Sequence, residues 1–199
     1  MHLLLATGNR GKIQEMRGAL DGLGLTLLNL ADVQVIGEPD ESGKTYAENA
    51  LIKARHAFEQ VTLPTIADDS GIHVEALEDE LGVRTRRWGA GQNATDEEWI
   101  TYFLDRMKRE PNKRARFVCA IAHINADGRE HTFEGVCDGV ITDELEAEYL
   151  PGLPLSACFR PNGYDRVFSA LTLEQKNSTS HRGRALMSMR RFLEGGRNK

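Results

Sequence analysis

The segment Thr7-Gly8-Asn9-Arg10-Gly11-Lys12 follows the short apolar run Leu3-Leu4-Leu5-Ala6. Small residues let a backbone approach a ligand, and a helix start offers free N–H groups and a favourable dipole to phosphate. Lys12 adds a positive charge. The spacing is too short for a Walker A loop, and Ile13 stands where that loop has its hydroxyl residue. An ordinary turn between strand and helix is the alternative reading.

Ala67-Asp68-Asp69-Ser70-Gly71 closes a second apolar stretch. Adjacent carboxylates at a strand end point opposite ways. One can then hold a magnesium ion (Mg²⁺) or orient a water while the other braces the loop. A solvated acidic turn would look the same. Asp40-Glu41, and Glu48 with Asn49, are further oxygen donors, with a surface loop and a helix cap as their plain explanations.

Lys176-Asn177-Ser178-Thr179-Ser180-His181-Arg182-Gly183-Arg184 is the basic counterpart. With Ser180 as N-cap, His181 and Arg182 fall in the first turn of a helix, where positive charge opposes the dipole. An anion or an acceptor-rich ligand would offset that; a solvated basic face is the alternative. Arg84, Arg86 and Arg87 with Trp88 form another basic cluster, better suited to structure or an interface than to catalysis.

These segments need elements to hold them. Leu3 to Ala6 reads as a buried strand, and Ile13, Met16, Leu20 and Leu23 recur at helical spacing up to Gly22 and Gly24. Leu25 to Leu30 is a second strand. Thr45 with Glu48 and Thr95 with Glu98 have the capping-box form, which predicts helices from about Tyr46 and after Thr95. Thr65 to Ala67 is a strand leading into the acidic pair, and Ile72, Val74 and Ala76 alternate beyond it. Gly82 to Gly91 reads as a loop. Phe117 to Ile124 is a central strand, Asn125-Ala126-Asp127-Gly128 a hairpin turn, and Thr132 to Ile141 the return strands. Ala185, Leu186, Met189, Phe192 and Leu193 mark a last helix. Interleaved helices and strands with a late hairpin predict an α/β fold on a mixed sheet.

A chain of 199 residues suits one domain, 1–199, as a whole or as two lobes sharing a core. Its net charge of -5 argues against a duplex nucleic-acid binder, while a small anion needs only a local basic pocket. Cys119, Cys137 and Cys158 are odd in number and form no C-x-x-C pair, which suits a reducing compartment. The apolar start is too short for a signal peptide or membrane span, so a cytoplasmic location is expected. Gly195 to Lys199 reads as a loose tail.

Taken together, Ala6-Thr7-Gly8-Asn9 with Lys12, Glu48-Asn49-Ala50 with Lys53-Ala54, Ala67 to Gly71, Ala115-Arg116-Phe117, and Lys176-Asn177 with Ser180 to Gly183 resemble the Ham1-like family of inosine/xanthosine triphosphate pyrophosphatases. The resemblance runs from about Leu3 to Leu193. It implies a two-lobed fold on a long mixed sheet flanked by helices, with the active site in the cleft between lobes, in a homodimer. It implies hydrolysis of ITP, dITP and XTP to the monophosphate and pyrophosphate, cleansing the nucleotide pool of deaminated purines.

By the same resemblance, Thr7, Gly8, Asn9, Arg10, Gly11 and Lys12 hold the triphosphate. Asp69, with Asp68 beside it, is the base and a Mg²⁺ ligand, Glu41 is a second metal carboxylate, and Ser70 touches substrate. Lys176, His181 and Arg182 line the nucleotide pocket. One segment departs. Where the family has Phe-Gly-Tyr/Trp-Asp-Pro, counting back from His181 lands on Leu153-Pro154-Leu155-Ser156, followed by Ala157-Cys158-Phe159. Asn162-Gly163-Tyr164-Asp165 looks similar but fits a downstream family element. The stacking aromatic and its carboxylate are thus missing. That leaves two rivals open, a pyrophosphatase of other nucleotides and a nucleotide sensor without turnover.

Overall fold

The structure is a computed structural model that describes residues 1–78, 80–91 and 93–197. Strand β1 (His2–Leu5) leads through the polar loop into α1 (Arg10–Leu20), and β2 (Thr26–Asn29) follows. Then come α2 (Tyr46–Val61), β3 (Thr65–Val74), α3 (Asp96–Met107), β4 (Arg114–Ile124), β5 (Glu130–Ile141), β6 (Phe159–Pro161), α4 (Leu173–Thr179) and α5 (His181–Arg197). One sheet of order β2-β1-β3-β4-β5-β6 joins the strands. β1 runs parallel to β2 and β3, and the pairs from β3 onward are antiparallel, giving the mixed α/β architecture expected.

Local chemistry sets the helix starts. Thr45 and Thr95 each accept from the backbone N–H three residues on, and Glu48 and Glu98 return the bond. Such caps are each worth about 1 kcal/mol. Thr172 and Gln175 repeat the device and start α4, a helix that apolar spacing alone does not predict. Gly128 at φ 80 closes the β4–β5 hairpin.

Three apolar clusters cover the sheet. Leu3, Leu5, Met16, Ile66, Ile121, Leu186 and Met189 pack α1 and α5 on one face. Leu4, Ala50, Ala54, Ala67, Ala120 and Ala122 pack α2 on the other. A third cluster, with Ile72, Trp99, Phe103, Phe117, Phe159 and Phe168, covers the far end. Fully burying each large side chain contributes roughly 1.5–3 kcal/mol. Along β3 the first two clusters stop at Ile66 and Ala67 and the third begins at Ile72, so Asp68 to Gly71 occupy the seam between these clusters.

Four expectations need correction. The acidic pair is not at a strand end: β3 continues through it, pairing Asp68 with Ile121, Asp69 with Ala120 and Ser70 with Cys119. The apolar run of β4 extends the ladder past a polar stretch that reads as a break. The return from the hairpin is one strand, β5. Within Gly82 to Gly91, residues Gly82–Arg87 form a 3-10 helix. α5 carries on through Gly195 to Arg197; Asn198 and Lys199 lie outside the described residues, as do the side chains of Arg86 and Arg87.

Candidate functional site

At the seam, Asp68 and Asp69 emerge on opposite faces of the sheet, as the period of two along a strand requires. On the α1/α5 face, Asp68 Oδ2 is 3.0 Å from Lys12 Nζ and accepts from Arg182 Nε at 3.1 Å. Arg182 also pairs with Glu15 and donates to Ser70 Oγ at 2.9 Å. Glu15 in turn pairs with Lys176 Nζ. Here three cations, Lys12, Lys176 and Arg182, meet two carboxylates, Asp68 and Glu15, leaving one positive charge in surplus.

On the α2 face, Asp69 Oδ1 accepts from Lys53 Nζ at 2.8 Å and Asp69 Oδ2 from Asn49 at 3.3 Å. Glu41 Oε1 lies 3.6 Å from the same ammonium. Asn49 and Lys53 are four apart on α2 and share a face. Two carboxylates converge where a cation already sits, hard-oxygen donors that suit magnesium, while the Asn49 oxygen is turned away to accept from Gly43 N. Among the described residues, no three His, Cys, Asp or Glu side chains form a metal cluster.

The faces differ electrostatically. Burial pushes the Asp68 carboxyl up, but Lys12 and Arg182 outweigh it and hold it below the usual carboxylate range. Burial also pushes Asp69 up, and there Lys53 does not fully compensate, so its pKa stays raised. Glu15 is held down by Arg182 and Lys176 against its own burial. Burial first, then Arg182 and Lys176, push His181 well below the ordinary histidine value, which keeps the ring neutral at pH 7. That ring stacks on Phe117 at 4.5 Å and 9°, and its Nδ1 is buried without a hydrogen-bond partner.

Two cavities meet at Lys12. One, of about 320 Å³, is lined by Leu153 to Ser156, Lys176, His181 and the rings of Trp99, Phe117 and Phe168. The other, of about 290 Å³, is lined by Thr7, Gly8, Glu41, Lys53 and Asp68. Asn9 ties them together: its Oδ1 caps α1 at Lys12 N, 3.0 Å away, and its Nδ2 donates to Gly152 O at 3.0 Å. Gly11 leaves room for this closeness: a Cβ there would stand 2.6 Å from Leu153 Cδ1, and the leucine side chain would have to shift. Gly183 similarly lets α5 approach α4, where a Cβ would meet Asn177 O at 1.9 Å.

Most candidates therefore come together. Arg10 does not; it is exposed at the head of α1. Glu48 is spent on the cap, accepting from Lys44 N and Thr45 N. The charge of Arg182 at the start of α5 is offset by Asp68 and Glu15, not by a ligand alone. Leu153 to Ser156 line the first cavity, whereas Tyr164 does not and accepts from Thr179 Oγ1 at 3.3 Å. Arg84 lies in a separate cavity with His73 and Arg116. Trp88 donates to Glu80 at 3.2 Å.

Residue-by-residue reading missed Glu15 altogether and gave Lys53 no role. A charged residue on the buried side of α1, three after Lys12, was the available signal for Glu15.

Residues 3–192 match the sequence profile of the Ham1 family. A dITP/XTP pyrophosphatase of Leptospira interrogans is 39% identical over 192 residues, 96% of each chain. One from Thermus thermophilus is 38% identical over 198 residues, covering 98% of this chain and 93% of the relative. Among solved structures, the Ham1 protein of Staphylococcus aureus superposes with a TM-score of 0.82 at 31% identity, over 98% of this chain and all (100%) of the other. A HAM1 protein from Coxiella burnetii gives 0.82 at 34% identity, over 98% and 99%.

Proposed function

This chain belongs to the Ham1 family, and from that premise we propose that it is a nucleoside-triphosphate pyrophosphatase that hydrolyses dITP, ITP and XTP to the monophosphate and pyrophosphate. The observation that carries the reading is the convergence of Lys12, Lys176 and Arg182 on one face of the sheet, where an apolar, ring-lined cavity meets a polar one. A nucleoside triphosphate has that shape: an apolar base at one end and an anionic chain at the other. Relatives such as that of Leptospira interrogans carry the name of this activity over nearly the whole length.

In this reading the base enters the cavity of Leu153 to Ser156, Lys176 and His181. The phosphates pass Lys12 into the cavity of Thr7 and Gly8, where the N–H groups at the start of α1 add positive potential. Lys12, aimed by Asp68, stabilises charge that develops on the phosphoryl oxygens. Asp68 is locked between Lys12 and Arg182 and is a poor proton acceptor, whereas Asp69 meets Lys53 on the opposite face, beside Glu41. Asp69 therefore orients the water that attacks the α-phosphorus and takes its proton, and pyrophosphate leaves. Asp69 and Glu41 would hold Mg²⁺, with water and phosphate oxygens completing the shell. When bound, the ion offsets phosphate charge as a Lewis acid.

The reading extends to a cytoplasmic homodimer that acts on a small substrate, with no nucleic-acid or membrane partner. The net charge of -5 supports the first exclusion. For the second, no described helix is long and apolar enough to cross a membrane. The test is pyrophosphate release from a panel of NTPs and dNTPs with magnesium. Preferential release from XTP and dITP is expected. Release chiefly from pyrimidine triphosphates would favour the first rival, and binding without release the sensor.

A further inference from the structure

The Gly152 peptide group links the turn that lines the first cavity to the Thr7-to-Lys12 loop that lines the second. Leu153 N donates to Leu150 O at 2.9 Å, and Pro151 with Gly152 at φ 81 fills the bend between them. Gly152 presents its two polar atoms to different partners. Its carbonyl accepts from Asn9 Nδ2 at 3.0 Å, and its N–H donates to Asp96 Oδ2. Asn9 also caps α1 by accepting from Lys12 N at 3.0 Å. Asp96 is the first residue of α3. A line of three hydrogen bonds thus runs from the head of α1, through Gly152, to the head of α3. The two helices belong to different apolar clusters, α1 with Leu3 and Ile66, α3 with Ile72 and Phe117. The fit is close: a Cβ on Gly152 would stand 2.2 Å from Asn9 Nδ2. Asn9, Gly152 and Asp96 all line the first cavity beside Lys12, and Gly152 leads directly into Leu153 to Ser156.

We propose that Asp96 is a positioning residue: it clasps the Leu153-to-Ser156 turn to the Thr7-to-Lys12 loop and so sets the span between base and phosphates. This rests on the first cavity being the base site and the second the phosphate site. A ligand with two ends gains affinity when its second end binds as an intramolecular event, and that gain is lost if the two sites do not stand at the ligand's own span. Reaction is stricter still, since a misplacement of about 1 Å can cost on the order of a hundredfold. The turn is closed on itself, Ser156 Oγ donating to Leu153 O, so the Gly152 peptide is where polar contact with α1 and α3 is made. A carboxylate suits the place. It binds a backbone N–H more strongly than a neutral acceptor does, and its charge is favoured in the first turn of a helix.

The test is calorimetric titration of the wild type and Asp96→Ala with xanthosine, inorganic tripolyphosphate and XTP, in excess chelator to stop turnover. The wild type should bind XTP at least about tenfold more tightly than tripolyphosphate. Asp96→Ala should weaken XTP by roughly tenfold to a hundredfold and leave xanthosine and tripolyphosphate unchanged, because each half-site survives while their spacing is lost. Asp96→Asn, whose amide oxygen can accept from Gly152 N, should bind all three as the wild type does. A purely structural role would weaken a half-ligand in step with XTP, and that result overturns the proposal. So does an unchanged XTP affinity in Asp96→Ala, an Asp96→Asn protein that behaves like Asp96→Ala, or a wild type that binds XTP and tripolyphosphate equally. If Asp96→Ala does not fold, Gly152→Ala breaks the clasp from the Asn9 side; XTP must weaken there while xanthosine does not, or the proposal falls. Should the wild type bind XTP yet release no pyrophosphate when magnesium is supplied, the pyrophosphatase reading fails, while these titrations still decide the role of Asp96.

Discussion

Lys12 Nζ and Asp68 Oδ2 stand 3.0 Å apart, and the same carboxylate oxygen also accepts from Arg182. Asp68 is thus fixed between the first turn of α1 and the first turn of α5. It neutralises part of their charge and aims Lys12 at the junction of the two cavities. Its neighbour Asp69 faces the other side of the sheet and meets a lysine that is shared with Glu41. One dipeptide therefore serves two environments, a brace on the α1/α5 face and a lysine-paired carboxylate on the α2 face, because a strand turns successive side chains to opposite faces.

Lys12→Ala is expected to raise KM for XTP by roughly tenfold to a hundredfold, as for loss of a charge-assisted hydrogen bond. Asp68 keeps Arg182, so the fold should survive. Steady-state kinetics with a thermal melt checks both halves. An unchanged KM would remove Lys12 from phosphate binding.

Asp69→Asn is expected to lower kcat by at least about a hundredfold while leaving the protein folded, in the range of a lost general base. The amide keeps the shape and a partner for Lys53 but cannot take a proton. Excess chelator should also abolish turnover. Near-normal pyrophosphate release from folded Asp69→Asn would exclude the assigned role.

Stability should fall as the pH is lowered, in two stages. His181 has a depressed pKa when folded, so below its ordinary value of about 6.5 the unfolded chain binds the extra proton and stability drops. Asp68 and Glu15 are also depressed. Their contribution is complete above the ordinary carboxylate range near pH 4 and is lost as the pH falls from there toward their lowered folded values. Asp69, with its raised pKa, works the other way and offsets part of the second stage. Urea midpoints between about pH 8 and 3 test this, and His181→Gln should flatten the first stage. A first stage that persists in that variant would assign it to another group.

Breaking the brace is a separate matter from chemistry. Asp68→Asn leaves the buried Arg182 and the half-buried Lys12 with less countercharge, and a broken buried pair costs roughly 3–5 kcal/mol. A large drop in the urea midpoint is expected, where Asp69→Asn shows little. Equal midpoints for the two variants would contradict the division of roles.

The starts of α2 and α3 were legible because Thr45 with Glu48 and Thr95 with Glu98 announce themselves as local pairs, and the Asn125-to-Gly128 turn because its chemistry is local. The run of β3 through Asp68 and Asp69 was not. What keeps that stretch extended is its partner strand and the cations from α1, α2 and α5, all distant in sequence. Glu15 was hidden for the same reason. On α1 alone it is one more surface-type charge, and only Lys176 and Arg182, more than a hundred residues on, make it part of the site.

The Leu153-to-Ser156 segment offers the last prediction. Leu153 sits against Gly11, and Ser156 Oγ donates to Leu153 O at 2.6 Å, so the turn is held by its own backbone. Leucine gives the base apolar contact but no π-face, and stacking on a ring is worth roughly 1–3 kcal/mol. Ser156 spends its hydroxyl within the turn, where a carboxylate would add an acceptor for a purine N–H. The double variant Leu153→Phe, Ser156→Asp should therefore raise the kcat/KM ratio of ITP to ATP by about tenfold. Two effects oppose this. A ring at position 153 must find room beside Gly11, and a buried carboxylate at 156 needs Lys176, which lines the same cavity, as its countercharge. Each single variant is thus expected to lose stability, with Ser156→Asp recovering some of it as Lys176 pairs with the new carboxylate. The ratio measured in the wild type, both singles and the double separates selectivity from tolerance. If it is the same in all four, this segment does not choose the base, and the choice rests with His181 and Arg182.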